Sequence, residues 1–387
     1  MKNLIYYISF FFLGLFANAQ TALYNSGNLR IHENGQLGFH TNLINDAAFD
    51  ENLGLVGFYG EDLLEVSGAF MPIFYDTEIA NQIGVLLNVP VTTTNNTNFI
   101  VGDIITPRNQ RDVYFSFLQD AFYVGESNAS KIDGFSQMSN RQEFIFPVGD
   151  SQQLRPLVLN SEDLNTISKC AYFFDNPNTP NPDDFQTTFS TNTKPARLGE
   201  ISTVEFWALE GSVSSTVTLS WNERSNLTAL TDDVNTVIVV GWNKTRRQWL
   251  SLGNIALGGD LSQGFVTSDS FIPDEYEIIT IGNVAVPREL LELDNFIVTP
   301  NGDGINDVLV IPELEQSPNN ILRIYNRLGL KVFEMENYTN QFNGISTSGN
   351  VLYGRENGLP TGVYFYTVSM FDLGLEFQGF LYLTRQP

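Results

Sequence analysis

A single cysteine in 387 residues excludes an intrachain disulfide. It is Cys170, within Lys169-Cys170-Ala171-Tyr172-Phe173-Phe174, an apolar run that reads as a strand. A free thiol in such a run behaves as a small buried hydrophobe. Histidine is also scarce, with only His32 and His40. The two imidazoles lack the cysteines or tight carboxylate cluster that would complete a zinc set. Positive charge is short as well: 20 Lys and Arg stand against 44 Asp and Glu, a formal net charge of −24. That balance excludes nucleic acid and anionic membrane as expected partners, since both reward basic patches. Helical periodicity is nearly missing. Catalytic signatures are missing altogether: no Gly-x-Ser-x-Gly elbow, no His-Glu-x-x-His helix and no Gly-x-x-x-x-Gly-Lys phosphate loop occurs.

Only the first twenty residues contain a sustained uncharged apolar stretch. Lys2 precedes Leu4 to Phe16, and Ala17-Asn18-Ala19 follows as a small-x-small site. The run is shorter than a spanning helix needs. Residues 1–19 are therefore expected to be an export leader, cut between Ala19 and Gln20.

The rest is punctuated by Gly, Asn, Asp, Pro and Ser into short apolar or alternating runs, the pattern of an all-β chain. Residues 20–141 contain strand candidates at Leu29-Arg30-Ile31, Leu55 to Tyr59, Gly84 to Leu87, Phe99 to Val101 and Val113 to Phe117. Thr92 to Thr97 reads as a polar turn between them. Short strands with Asn- and Thr-rich corners suit a β-solenoid-like region, with a sandwich as the alternative. Residues 142–283 open with Phe144-Ile145-Phe146-Pro147-Val148-Gly149-Asp150 and Leu154-Arg155-Pro156-Leu157, then run through strands bearing Trp207, Trp221 and Trp242. A central β-sandwich is expected there. Residues 284–291 read as a linker. In residues 292–387, Asn326-Arg327-Leu328-Gly329 folds Ile321–Tyr325 back onto Leu330–Glu334 as a hairpin, and Tyr364, Tyr366, Val368 and Met370 share one strand face.

Chemistry has few candidates. Asp183, Asp184, Asp232 and Asp233 are pairs of adjacent acids in polar stretches, which suits solvated turns better than a two-acid hydrolytic cleft. No enzymatic activity is expected. Trp207, Trp221, Trp242 and Trp249 are either core rings or platforms for surface glycans, and exposure separates the two. Asn301-Gly302-Asp303-Gly304-Ile305-Asn306-Asp307 places several hard oxygens on a tight turn. Two readings stand: Asn301, Asp303 and Asp307 as calcium ligands, or side chains that hydrogen-bond their own backbone.

Taken in order, Thr299-Pro300-Asn301-Gly302-Asp303-Gly304 with Asn306 and Asp307, then Asn326-Arg327 with Gly329, Gly344, and Leu359-Pro360 with Gly362 and Tyr364 form a set of motifs. Together they resemble the gliding-motility-associated C-terminal domain of Bacteroidetes proteins, the type B sorting domain of the type IX secretion system. Two positions depart from the family pattern. Leu328 stands where an aromatic is common, and Phe342-Asn343-Gly344 stands for a tryptophan-acid-glycine. The resemblance implies a C-terminal immunoglobulin-like β-sandwich sorting domain recognised by the type IX translocon. It also implies a secreted or cell-surface protein exported through the periplasm and across the outer membrane. The passenger is expected to be structural or adhesive and gliding-associated. The alternative is a secreted carbohydrate-binding or carbohydrate-degrading protein.

Overall fold

The computed structural model describes residues 22–285, 289–292, 295–347 and 358–385. The expected leader and its cut between Ala19 and Gln20 lie outside the described residues. Two compact units divide the chain. One takes the residues up to Thr188 with Thr203–Ser220 and Phe265–Thr280; the other takes Phe189–Ser202, Trp221–Gly264 and the residues from Ile281 onward. Both are built of strands, and the chain is all-β.

The first unit opens as a β-solenoid. In chain order come β1 (Ala22–Asn25) and β2 (Gln36–Phe39), β3 (Asn42–Asn45) and β4 (Leu55–Gly60), then β5 (Leu64–Ser67) and β6 (Ile73–Asn81). Next are β7 (Val85–Leu87), β8 (Val91–Val101), β9 (Ile104–Ile105), β10 (Phe115–Phe117) and β11 (Phe122–Val124), followed by β12 (Ile132–Asp133), β13 (Ser136–Phe146) and β14 (Val148–Gly149). Strands β1, β3, β5, β7, β9, β12 and β14 stack in one sheet, and β2, β4, β6, β8, β10 and β13 in another. The pairing within both stacks is parallel.

Parallel register puts like residues above one another. Phe39 pairs with Phe58, Phe58 with Ile79 and Ile79 with Phe99, all buried. The rings of Phe39 and Phe58 stack with centroids 5.2 Å apart. At the corners, buried asparagines satisfy backbone that no strand reaches. Asn25 Nδ2 donates to Asn45 Oδ1 at 2.7 Å, and Asn45 Nδ2 donates to the Phe70 carbonyl at 2.9 Å. Asn52 accepts from the Ile31 amide and donates to the carbonyls of Phe49 and Ile73.

Two local expectations need correction. Leu29-Arg30-Ile31 is not a strand, because its amides go to the Ala48 carbonyl and the Asn52 side chain instead of a ladder. Thr92 to Thr97 is not a turn but the middle of β8. Threonine is β-branched and fits a pleated sheet, and Asn95 and Asn96 both bond Asp76 on the strand above.

Parallel stacking ends at β15 (Leu157–Phe173), which runs antiparallel to β13. After β16 (Leu198–Ile201), the strands β17 (Phe206–Gly211) and β18 (Ser215–Trp221) each pair antiparallel with part of β15. A buried ion pair lies among these strands. Arg155 Nη2 meets Glu205 Oε1 at 2.7 Å and donates to the Ser220 carbonyl at 2.8 Å. The Tyr172 hydroxyl donates to Glu205 Oε2 at 2.6 Å, and the guanidinium lies 5.7 Å from the Tyr172 ring and 5.6 Å from Trp207. Cys170 is buried in β15.

The second unit contains β19 (Val237–Asn243), β20 (Gln248–Ser251) and β21 (Ala256–Gly259). Trp242 and Trp249 face each other across the β19–β20 hairpin with centroids 5.8 Å apart. The strands β22 (Gly264–Thr267) and β23 (Tyr276–Val284) complete the central region. A separate six-stranded sheet follows: β24 (Glu289–Glu292), β25 (Phe296–Val298), β26 (Asn320–Tyr325), β27 (Lys331–Glu336), β28 (Gly362–Met370) and β29 (Leu375–Leu383). Its order is β24-β29-β28-β26-β27, with β25 also on β29. The expected face of Tyr364, Tyr366, Val368 and Met370 is buried. Among the described residues, the side chains closing over that face come from loops and one 3-10 turn, namely Leu309, Leu314, Tyr338, Phe342 and Leu359. No second hydrogen-bonded sheet covers it there.

Removing one partner of a buried pair leaves an uncompensated charge. Glu205→Ala is expected to destabilise the first unit by about 3–5 kcal/mol in chemical denaturation. Joint replacement of Arg155 by Met and Glu205 by Leu is expected to recover most of that loss. Phe58→Ala is expected to cost about 3–5 kcal/mol by opening a cavity in the solenoid column.

Candidate functional site

Strand direction in the last sheet gathers the sequence motifs at one end. β25 runs parallel to β29, so Val298 lies beside Leu383. β28 runs antiparallel to both β29 and β26, which puts its first residue, Gly362, opposite Leu383, and Phe365 opposite Tyr325. Four chain segments therefore leave the sheet at the same end: the loop after Val298, the turn after Tyr325, the stretch before Gly362 and the residues after Leu383.

Hydrogen bonds to Gly344 tie two of them together, the stretch before Gly362 and the residues after Leu383. The Gly344 carbonyl accepts from the Leu359 amide at 2.7 Å and from Arg385 Nη2 at 3.3 Å. Gly344 has φ +79°, and a Cβ there would lie 3.0 Å from Leu383 Cδ1 and 3.4 Å from Pro300 Cγ. The left-handed backbone favours glycine, and an added Cβ would press on the Leu383 side chain. The buried Tyr364 donates to the Pro360 carbonyl at 2.8 Å. Burial pushes its hydroxyl pKa up, while the charges of Arg327 and Arg385 pull the other way.

The Thr299–Asp307 loop is closed by its own carboxylates. Asp307 Oδ1 accepts from the amides of Asn301 at 2.9 Å and Gly302 at 2.7 Å, and Oδ2 accepts from the Gly304 amide at 2.8 Å. Asp303 Oδ1 accepts from the Ile305 amide, and Asn301 Oδ1 accepts from the Asp303 amide. Thr299 ties the two ends together, its amide to the Asn306 carbonyl at 2.7 Å and its hydroxyl to the Ile305 carbonyl at 2.9 Å. The amides of Gly302, Gly304 and Asn301 hold the Asp307 carboxyl below the usual carboxylate range. A calcium ion on Asn301, Asp303 and Asp307 would compete with these amides for the same oxygens. Among the described residues no group of three His, Cys, Asp or Glu side chains converges on a point.

The hairpin tip follows the same logic. Asn326 Oδ1 accepts from the amides of Leu328 and Leu330, and the Gly329 amide bonds the Asn326 carbonyl. The tip is thereby rigid while its side chains face solvent, with Leu328 92% exposed and Arg327 exposed beside it. On the loop, Ile305 is 66% exposed. Two apolar side chains are thus presented on polar scaffolds at the same end of the sheet.

Residues 291–383 match the CHU_C type IX secretion signal domain. This segment is a type IX secretion signal domain. The comparisons with curated proteins and with solved structures found no match. The signal domain makes this an exported protein, secreted or placed at the cell surface, that engages the secretion machinery. No helix among the described residues is long and apolar enough to cross a membrane.

Sequence reasoning missed three structural members of the signal domain. Arg385 reaches Gly344 from the far end of the motif set. Buried Tyr338 donates to the Leu309 carbonyl at 2.5 Å and accepts from the Phe342 amide at 3.2 Å. Buried Asn320 accepts from the Tyr338 amide at 2.9 Å. Only their partners, distant in sequence, reveal them. The other candidates stay apart from any site. His32 and His40 are exposed, and so are Asp183, Asp232 and Asp233. Asp233 caps a short 3-10 turn by accepting from the Asn235 amide. Trp207, Trp221 and Trp249 are buried, and Trp242 is half-buried, so the four do not line up as a stacking row.

The depressed Asp307 pKa has a definite sign. The stabilisation it brings is complete above the ordinary carboxylate pKa of about 4 and is lost as the pH falls through the lower folded value. The isolated signal domain is expected to melt earlier on acidification through that range. Asp307→Ala is expected to lower the melting temperature at neutral pH and flatten the acid limb. A chelator added to the unmodified domain tests the calcium reading: an unchanged melting curve assigns the loop to its amides.

Proposed function

We propose that the chain crosses the periplasm folded and is carried over the outer membrane by the type IX translocon, which reads the motif end of the signal domain. The observation carrying this reading is the convergence of motifs far apart in sequence, from Thr299 to Arg385, at one end of one sheet. A signal that must survive folding has to be a surface of the folded domain, because an extended tag would be buried or digested first. Rigid loops that display Leu328, Arg327 and Ile305 meet that need, since little further ordering is required when a partner docks.

The passenger is read as a structural or adhesive, non-catalytic module. Its support is the solenoid, a stack in which each coil contacts its neighbours and whose outer faces are free for binding. The buried tryptophans favour this reading over a tryptophan-based carbohydrate platform. A gliding-associated role rests on the family resemblance alone, and the gliding of a deletion strain tests it.

Deletion of residues 291–387 is expected to leave the passenger in the periplasm, as measured by cell fractionation. Its normal appearance outside the cell would count against the proposal. Arg327→Ala combined with Leu328→Asp is expected to slow export several-fold while leaving the melting temperature of the domain unchanged, because both side chains are exposed at the tip.

A further inference from the structure

The outer face of the second solenoid sheet carries a cleft of about 530 Å3, outside the signal domain. Its floor is one row of the parallel register, in which Gln36, Leu55, Asp76 and Asn96 are neighbours on successive strands. Glu78 and Asn98 pair in the row beside it, and Tyr75 also lines the cleft. The volume falls in the usual range for small-ligand sites.

The two carboxylates are held in place by neutral donors. Asp76 Oδ1 accepts from Asn95 Nδ2 at 2.7 Å and from the Asn96 amide at 3.2 Å. Glu78 accepts from the Tyr59 hydroxyl at 2.8 Å and from Asn98 Nδ2 at 3.1 Å. Tyr59 reaches Glu78 by laying its ring over Gly57, where a Cβ would sit 2.2 Å from the ring carbon Cζ. Burial and the Glu78 bond raise the Tyr59 hydroxyl to about 12, so it remains a donor.

We propose that this cleft binds a neutral oligosaccharide. A sugar hydroxyl donates and accepts at once, which matches carboxylates interleaved with carboxamides. Leu55 and Tyr75 supply apolar surface for the C–H face of a ring. An anionic glycan would meet Asp76 and Glu78 with no lysine or arginine lining the cleft. A bare cation would leave the apolar surface of Leu55 and Tyr75 without a role. The proposal rests on the adhesive reading of the passenger, in that it names what is held.

The test uses the purified full chain on an array of neutral, acidic and amino-bearing oligosaccharides. Neutral oligosaccharides are expected to be retained, and Asp76→Ala is expected to weaken them by about tenfold or more. Gln36 is exposed, so Gln36→Arg can block the cleft without disturbing the core. It is expected to weaken binding equally while leaving the melting temperature unchanged. Absence of neutral-glycan binding, binding that survives Gln36→Arg, or retention of only the acidic or amino-bearing sugars would overturn the proposal. Adhesion of intact cells separates the two ideas: adhesion that persists in the Gln36→Arg strain removes the cleft and leaves the adhesive reading standing.

Discussion

Every coil of the solenoid must pass its backbone hydrogen bonds to the next, and the first unit depends on that constraint. A single coil cannot bury its apolar face alone. Stacking in strict register solves this for Phe39, Phe58, Ile79 and Phe99 at once, since each caps the residue above it. The same register sets the polar side. Asn25, Asn45 and Asn52 turn the corners because an amide side chain donates and accepts, and so bridges neighbouring coils where the ladder stops. The outer row holding Asp76 and Asn96 follows from the same geometry as the inner aromatic column.

Where parallel stacking stops, a different interaction takes over. Arg155, Glu205 and Tyr172 form a buried network at the turn to antiparallel pairing. Burying a charge is costly unless the partner geometry is good. Here Glu205 bonds both Arg155 and Tyr172, and the guanidinium lies against two rings. The signal domain solves its own problem differently, with carboxylates and carboxamides that close loops from within. Asp307 does for its loop what Asn326 does for the hairpin tip: one side chain satisfies several amides and leaves the apolar residues facing outward.

Much of this was legible from residues alone. The short punctuated runs pointed to an all-β chain, and strands such as Leu55 to Tyr59, Thr216 to Trp221 and Ile321 to Tyr325 lie where their periodicity placed them. Thr92 to Thr97 was misread because threonine and asparagine serve turns and sheet positions alike, and only the neighbouring strand decides. Leu29-Arg30-Ile31 was misread for the opposite reason: its apolar pattern is real, but its amides go to the Ala48 carbonyl and the Asn52 side chain one coil away. Tyr338, Asn320 and Arg385 carried no local signal.

The sequence by itself determined the strand class, the hairpin at Asn326 and the identity of the signal, because these rest on periodicity and on residue types at fixed short spacings. The tertiary structure alone decided that Thr299, Gly344, Leu359 and Arg385 share one end of a sheet, and that Asp76 and Asn96 share one floor. Those neighbours are set by strand direction and coil register, and both arise from hydrogen bonds between segments that are distant along the chain.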